Sequence, residues 1–185
     1  PADSQARVKD WFNSRLARAL AAIAPELRIG TDSGDGAAVC LLGDPEDALR
    51  VVARLARPGA QEVPGALRLR VGIHVGPVRV VQDIHGRTNI LGDGLDTARQ
   101  VMGFAQPGQV LVARAYFDLV ACLAADAARS FLFQGVVRDP HDRAHEVFLF
   151  AGGDASRPVA AGAPTRSQAP ARQLAAAVLT ALEAA

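Results

Sequence analysis

The side chains of this 185-residue chain that could do chemistry are scattered and of several kinds. Asp35 stands in Ser33-Gly34-Asp35-Gly36, where an Asp-Gly pair supplies the positive φ angles of a tight hairpin and a carboxylate at the tip can project into a cleft. Asp93 is most simply a helix cap, and Asp96 has Arg99 three residues on, the spacing of an ion pair on one helical face. Asn89, after Gly86-Arg87-Thr88, is either a turn residue or a reader of hydrogen-bonding groups. Arg87, Arg138 and Arg143 fall in loops, where arginines are commonly just solvated. The pair His141 and His145 invites a zinc reading. Pro140 stops a helix from reaching through that loop and no third ligand is near, so a solvated loop is the better expectation. His74, in an alternating run, reads as a sheet histidine rather than a general base.

Secondary structure must position these groups. Val8, Trp11, Phe12, Leu16, Ala19, Leu20 and Ile23 recur at three and four residues, which predicts an amphipathic helix over 4–24. Apolar runs at 27–31 and 37–42 flank the Asp-Gly turn as a hairpin. Asp44-Pro45-Glu46-Asp47 announces a helix to about residue 57, with a cap, a proline in the first turn and acids at the positive end of the dipole. The run 67–75 is β-branched and alternating, and Gly76-Pro77 is expected to turn it into a second hairpin strand at 78–82. A helix over 92–104, a short strand at 110–112, a helix over 113–124 and two strands at 130–137 and 146–150 follow. Adjacent hairpins without strict βα alternation predict an α+β fold of ferredoxin-like type, a mostly antiparallel sheet with helices packed on one face. Beyond residue 152 the composition becomes Ala, Gly, Pro, Ser and Arg. Residues 1–152 are therefore expected to form one domain, 153–170 a linker, and 171–185 a C-terminal helix with a weak stripe of Leu174, Val178, Leu179 and Leu182.

Bulk properties exclude several classes. Twenty basic and nineteen acidic residues leave a net charge of +1, with no electrostatic footprint for nucleic acid or an anionic membrane. Cys40 and Cys122 sit in apolar runs without paired spacing, as buried reduced thiols of a cytoplasmic protein would. The longest uncharged apolar stretch is shorter than the roughly 20 residues a spanning helix needs.

The run Arg68-Leu-Arg-Val-Gly-Ile-His74-Val-Gly-Pro-Val78, then Gly92-Asp-Gly-Leu-Asp96, then Ala105-Gln-Pro-Gly-Gln-Val-Leu-Val112, resembles the class III adenylyl and guanylyl cyclase family. Gly34-Asp35-Gly36 with Gly43-Asp-Pro-Glu-Asp-Ala-Leu49 adds to the likeness, which covers about 2–150. The resemblance implies a domain that pairs head to tail, as a homodimer or with another cyclase domain. Its active sites would lie between protomers and convert a nucleoside triphosphate, ATP or GTP, to a 3′,5′-cyclic nucleotide and pyrophosphate. It also implies two Mg or Mn ions, one acidifying the ribose hydroxyl and one holding the outer phosphates.

Carried over position by position, the resemblance gives Asp35 the second metal aspartate. The first belongs to a strand expected before the opening helix, upstream of Pro1, because a sheet lacking it would expose backbone and core on both neighbours. The transition-state asparagine and arginine fall on Asp96 and Gln100, so both have lost their usual chemistry. A carboxylate there repels a triphosphate, and a missing stabiliser of this kind costs on the order of 3–4 kcal/mol of barrier. Arg99 points about 100° away from Gln100 around the helix and cannot stand in for it. The lysine and aspartate with which adenylyl cyclases read the base fall on Thr31 and Asn89, and this substitution leaves the base open. Arg87, Arg138 and Arg143 match regions of phosphate contact.

Overall fold

The computed structural model describes residues 2–34, 36–56, 68–124, 126–152 and 174–183. Helix α1 (Ala2–Leu20) leads through a short 3-10 turn (Pro25–Leu27) into the hairpin β1 (Arg28–Asp32) and β2 (Gly36–Leu41), and helix α2 (Asp47–Ala56) follows. Then come β3 (Arg68–Pro77), β4 (Arg79–Gln82), β5 (Thr88–Leu91), α3 (Asp93–Gly103), β6 (Val110–Ala113) and α4 (Arg114–Leu123). A second 3-10 turn (Ala127–Ser130) precedes β7 (Phe131–Arg138), β8 (Ala144–Phe150) and β9 (Leu174–Glu183). The fold is α+β. Seven strands form one sheet in the order β1-β2-β9-β3-β6-β8-β7, and β4-β5 make a separate ribbon. Among the described residues only the β3–β6 pairing is parallel.

Bulky residues of β2 and β3 face α1, α2 and α4. Ala37, Val39, Leu41, Val71, Ile73 and Val75 pack there against Phe12, Leu16, Val51, Leu55, Tyr116 and Val120. The two first helices also close each other's ends: Arg15 donates to the Leu55 carbonyl at 2.6 Å, and Arg54 donates to that of Ala19 at 3.0 Å. These bonds satisfy terminal carbonyls that a helix leaves open. Tyr116, fully buried, donates its hydroxyl to the Pro45 carbonyl at 2.7 Å and so ties α4 to the entry of α2.

Three expectations fail. Helices cover both faces of the sheet, because alternate residues of β3 point to opposite sides and Gly72 offers bare backbone to α3. A Cβ at Gly72 would lie 2.4 Å from the Ala98 carbonyl oxygen and 2.4 Å from the Met102 nitrogen, so only glycine admits α3 at this distance. The second hairpin is not β3 with β4. Gly76 lies inside β3, and β4 turns instead onto β5, with Val80 opposite Ile90. The turn is built by Asp83, whose Oδ1 accepts from the His85 and Arg87 amides at 2.8 and 2.9 Å, and by Gly86 at φ 73°.

The third failure is at 171–185, where a helix was expected and Leu174–Glu183 is a strand. It lies between β2 and β3, antiparallel to both, pairing Gly36 with Ala181 and Arg68 with Glu183. Backbone pairing on two sides outweighs the local helix preference of an alanine-rich segment. The linker at 153–170 lies outside the described residues.

Candidate functional site

Thr31 and Asn89, on strands of different sheets, meet side chain to side chain. The Thr31 hydroxyl donates to Asn89 Oδ1 at 2.9 Å, and the same oxygen accepts from the Ile90 amide at 2.7 Å. Ile90 holds β5 in place. It is fully buried with Ala38, Cys40, Leu95 and Ala98, between β2 and α3. Burial also pushes the Cys40 thiol up to about 11, so it is a packing group and not a nucleophile. The Asn89 NH2 has no partner among the described residues, and both side chains are half-buried. An open cleft of about 420 Å³ runs nearby, lined by Pro25, Glu26, Arg28, Ile29, Gly30 and Thr88. Thr31 and Asn89 do not line it, so the side-chain geometry and not the cleft defines the site.

Asp35 lies outside the described residues. Around it the hairpin is held by Lys9 of α1, whose ammonium lies 2.8 Å from Asp32 Oδ1 and donates to the Gly36 carbonyl at 2.7 Å. Asp32 also accepts from the Gly34 amide at 2.7 Å, and the Lys9 and Gly34 bonds hold its carboxyl below the usual range despite some burial. Among the described residues this carboxylate is already committed to an ammonium.

On α3 the two positions expected to hold transition-state residues differ in exposure. Asp96 is exposed and paired with Arg99 at 3.6 Å, a surface contact worth at most about 0.5 kcal/mol. Gln100 is half-buried, and its Oε1 is buried without a hydrogen-bond partner. A neutral, inward-facing amide offers no charge to a phosphate.

The loop arginines are engaged locally or distant. Arg138 donates to the Asp142 carbonyl at 2.8 Å and its carboxylate at 3.0 Å. Arg143 donates Nε to Asp139 at 2.8 Å. Asp139, which the sequence reading passed over, organises the whole β7–β8 loop: it is buried and accepts from the His141 and Arg143 amides and pairs with His145 at 3.1 Å. Burial alone would raise its pKa, but the Arg143 amide, His145, the Arg143 guanidinium and the His141 amide outweigh that and hold it well below the carboxylate range. An aspartate opening a Pro-containing turn was the available signal. His145 therefore serves a carboxylate, and its ring lies 6.0 Å from that of Phe104. Arg87 makes no side-chain bond among the described residues. Since β1 and β7 are opposite edges of the sheet, Thr31 and the β7–β8 loop stand five or six strand spacings apart, roughly 25 Å or more. One chain cannot bring them to one small molecule.

His74 faces α3, covering Gly76: a Cβ there would lie 2.7 Å from its Nε2. Burial, then the nearby His145, lowers its pKa to about 4, and Nδ1 is buried without a partner. Cys122, expected to be buried, is exposed on the outer side of α4. No helix among the described residues is long and apolar enough to cross a membrane. No protein-family model matches the chain, and no curated protein matches it.

Proposed function

We propose that the chain is the body of a class III nucleotide cyclase-like domain that binds a nucleoside triphosphate and turns it over weakly. The hydrogen bond between Thr31 and Asn89 carries the reading: two positions far apart in sequence, which the resemblance assigns to one base, are in contact. The strand order supports it as well. β2 and β3 run parallel with an antiparallel strand between them, β1 is hairpinned outside, and α1 and α2 share one face, the arrangement of a ferredoxin-like sheet. The separation of the base pair from the β7–β8 arginines fits a head-to-tail dimer, in which the loop of one copy would complete the site of the other. No step of the proposal runs through a metal ion at the hairpin tip.

A second reading is favoured by α3. With Asp96 tied to Arg99 and Gln100 turned inward, the domain would be a nucleotide-binding, regulatory or dimerisation module without turnover. Incubation with manganese and ATP or GTP separates the two, with little cyclic nucleotide expected from the unmodified protein. Asp96→Asn with Gln100→Arg should raise the rate by about a hundredfold when the first metal aspartate is present on a strand upstream of Pro1. Brisk turnover by the unmodified protein alone would overturn the weak-site reading. If the double variant gains nothing, the second reading holds.

A further inference from the structure

We infer that the Thr31–Asn89 pair selects guanine over adenine, which rests on the nucleotide reading above and deepens it. The Ile90 amide can only donate, so the Asn89 oxygen and not its NH2 must face it; the amide orientation is therefore fixed by chemistry. The same oxygen takes the single hydroxyl proton of Thr31. What remains for a ligand is a pair of N–H donors at Asn89 and lone pairs alone at Thr31.

That polarity is the reverse of an adenine reader. A lysine at the Thr31 position can only donate, and so meets the adenine ring nitrogen N1. An aspartate at the Asn89 position can only accept, and so meets the exocyclic amine. Here the donor and the acceptor have changed places. Guanine differs from adenine at the same two atoms and in the same sense: O6 accepts where adenine has an amine, and N1 carries a proton where adenine has a lone pair. A guanine base in this pose receives a bond from the Asn89 NH2 at O6 and gives one from N1–H to Thr31 Oγ1. Adenine in the same pose sets amine against amine and lone pair against lone pair. Turning the Asn89 amide over to suit adenine would remove the acceptor from the Ile90 amide, which belongs to a fully buried residue. The exocyclic 2-amino group of guanine is not read by either side chain, so hypoxanthine serves as well.

The test is competition binding on the intact protein with GTP, ITP and ATP. GTP and ITP are expected to bind alike, and ATP roughly ten- to a hundredfold more weakly. Asn89→Asp keeps an acceptor for Ile90 and Thr31 but removes the donor, and should abolish the preference for GTP. Thr31→Lys with Asn89→Asp should turn the preference toward ATP, and the single variant decides the matter if the double one does not fold. ATP binding as tightly as GTP, or GTP far tighter than ITP, overturns the guanine assignment while leaving a nucleotide site standing. Binding of none of the three overturns the nucleotide reading itself, and the assignment with it.

Discussion

The β1–β5 contact and the Asp96 and Gln100 positions of α3 were expected to serve the same molecule, yet they are built on different principles. At β1–β5, Asn89 is oriented by a backbone amide and a neighbouring hydroxyl, so the direction of its hydrogen bonds is part of the fold. On α3, Asp96 and Gln100 owe nothing to the backbone around them. The helix is positioned by Leu95, Ala98 and Val101 against the sheet and by the bare backbone of Gly72. Losing the Asn89 oxygen would leave the Ile90 amide without this acceptor, whereas breaking the exposed Asp96–Arg99 pair costs little.

The contrast can be broken at its common support. Gly72→Ala drives a methyl into the backbone of α3, which cannot yield as a flexible side chain would. We expect a destabilisation of about 3 kcal/mol, near the upper end for overpacking, and a melting temperature lower by roughly 10 °C in a calorimetric scan. Both regions should suffer, since Ile90 rests on Leu95 and Ala98. An unchanged melting point would mean that α3 is not held by this contact.

An acid titration sharpens the contrast on the α3 side. His74 has a folded pKa of about 4 against 6.5 unfolded, so below pH 6.5 the unfolded chain takes up a proton that the folded chain refuses. Stability is full above that value, falls between pH 6.5 and about 4, and then levels off with respect to this group. His74→Gln should flatten the melting temperature over that window. The Asp139 contribution has the same sign in a lower window: present above the ordinary carboxylate range, it is lost only as pH falls below that range toward the depressed folded value. A variant as acid-sensitive as the parent between pH 6.5 and 4 would exclude His74 as the cause. The smallest effect is expected from Arg99→Gln, which breaks the exposed pair with Asp96 and should change stability by less than about 0.5 kcal/mol. A larger loss by chemical denaturation would show that this pair does more than shield a surface charge.

Much of the element order was legible. Helices α1 to α4 announce themselves by apolar residues at three and four positions and by the acids and proline before α2, because these signals act within a few residues. What escaped depends on partners far along the chain. Leu174–Glu183 reads as helix until two strands on either side require a third between them. The alternation Val71-Gly72-Ile73-His74-Val75-Gly76 contained the second covered face, since its small members mark where α3 approaches, but Gly76-Pro77 read more simply as a turn. Asp139 looked like an ordinary loop aspartate because its donors come from residues whose backbone path had first to be known. At Thr31 and Asn89 the residue types were readable and the direction of their hydrogen bonds was not. That direction rests on the Ile90 amide, a group every sequence contains and no sequence orients.

The central location of β9 has a kinetic consequence. Its partners in β2 and β3 are separated from it by most of the chain, so the middle of the sheet cannot close through local encounters. Contacts of such long range are slow to form. The hairpin β1–β2 and the layers around α1, α2 and α4 can assemble beforehand, with two open backbone edges awaiting the same insertion. During that interval an identical segment of another molecule is as good a guest as the chain's own, and the speed of threading against the protein concentration decides whether folding ends in a closed monomer or in exchanged strands.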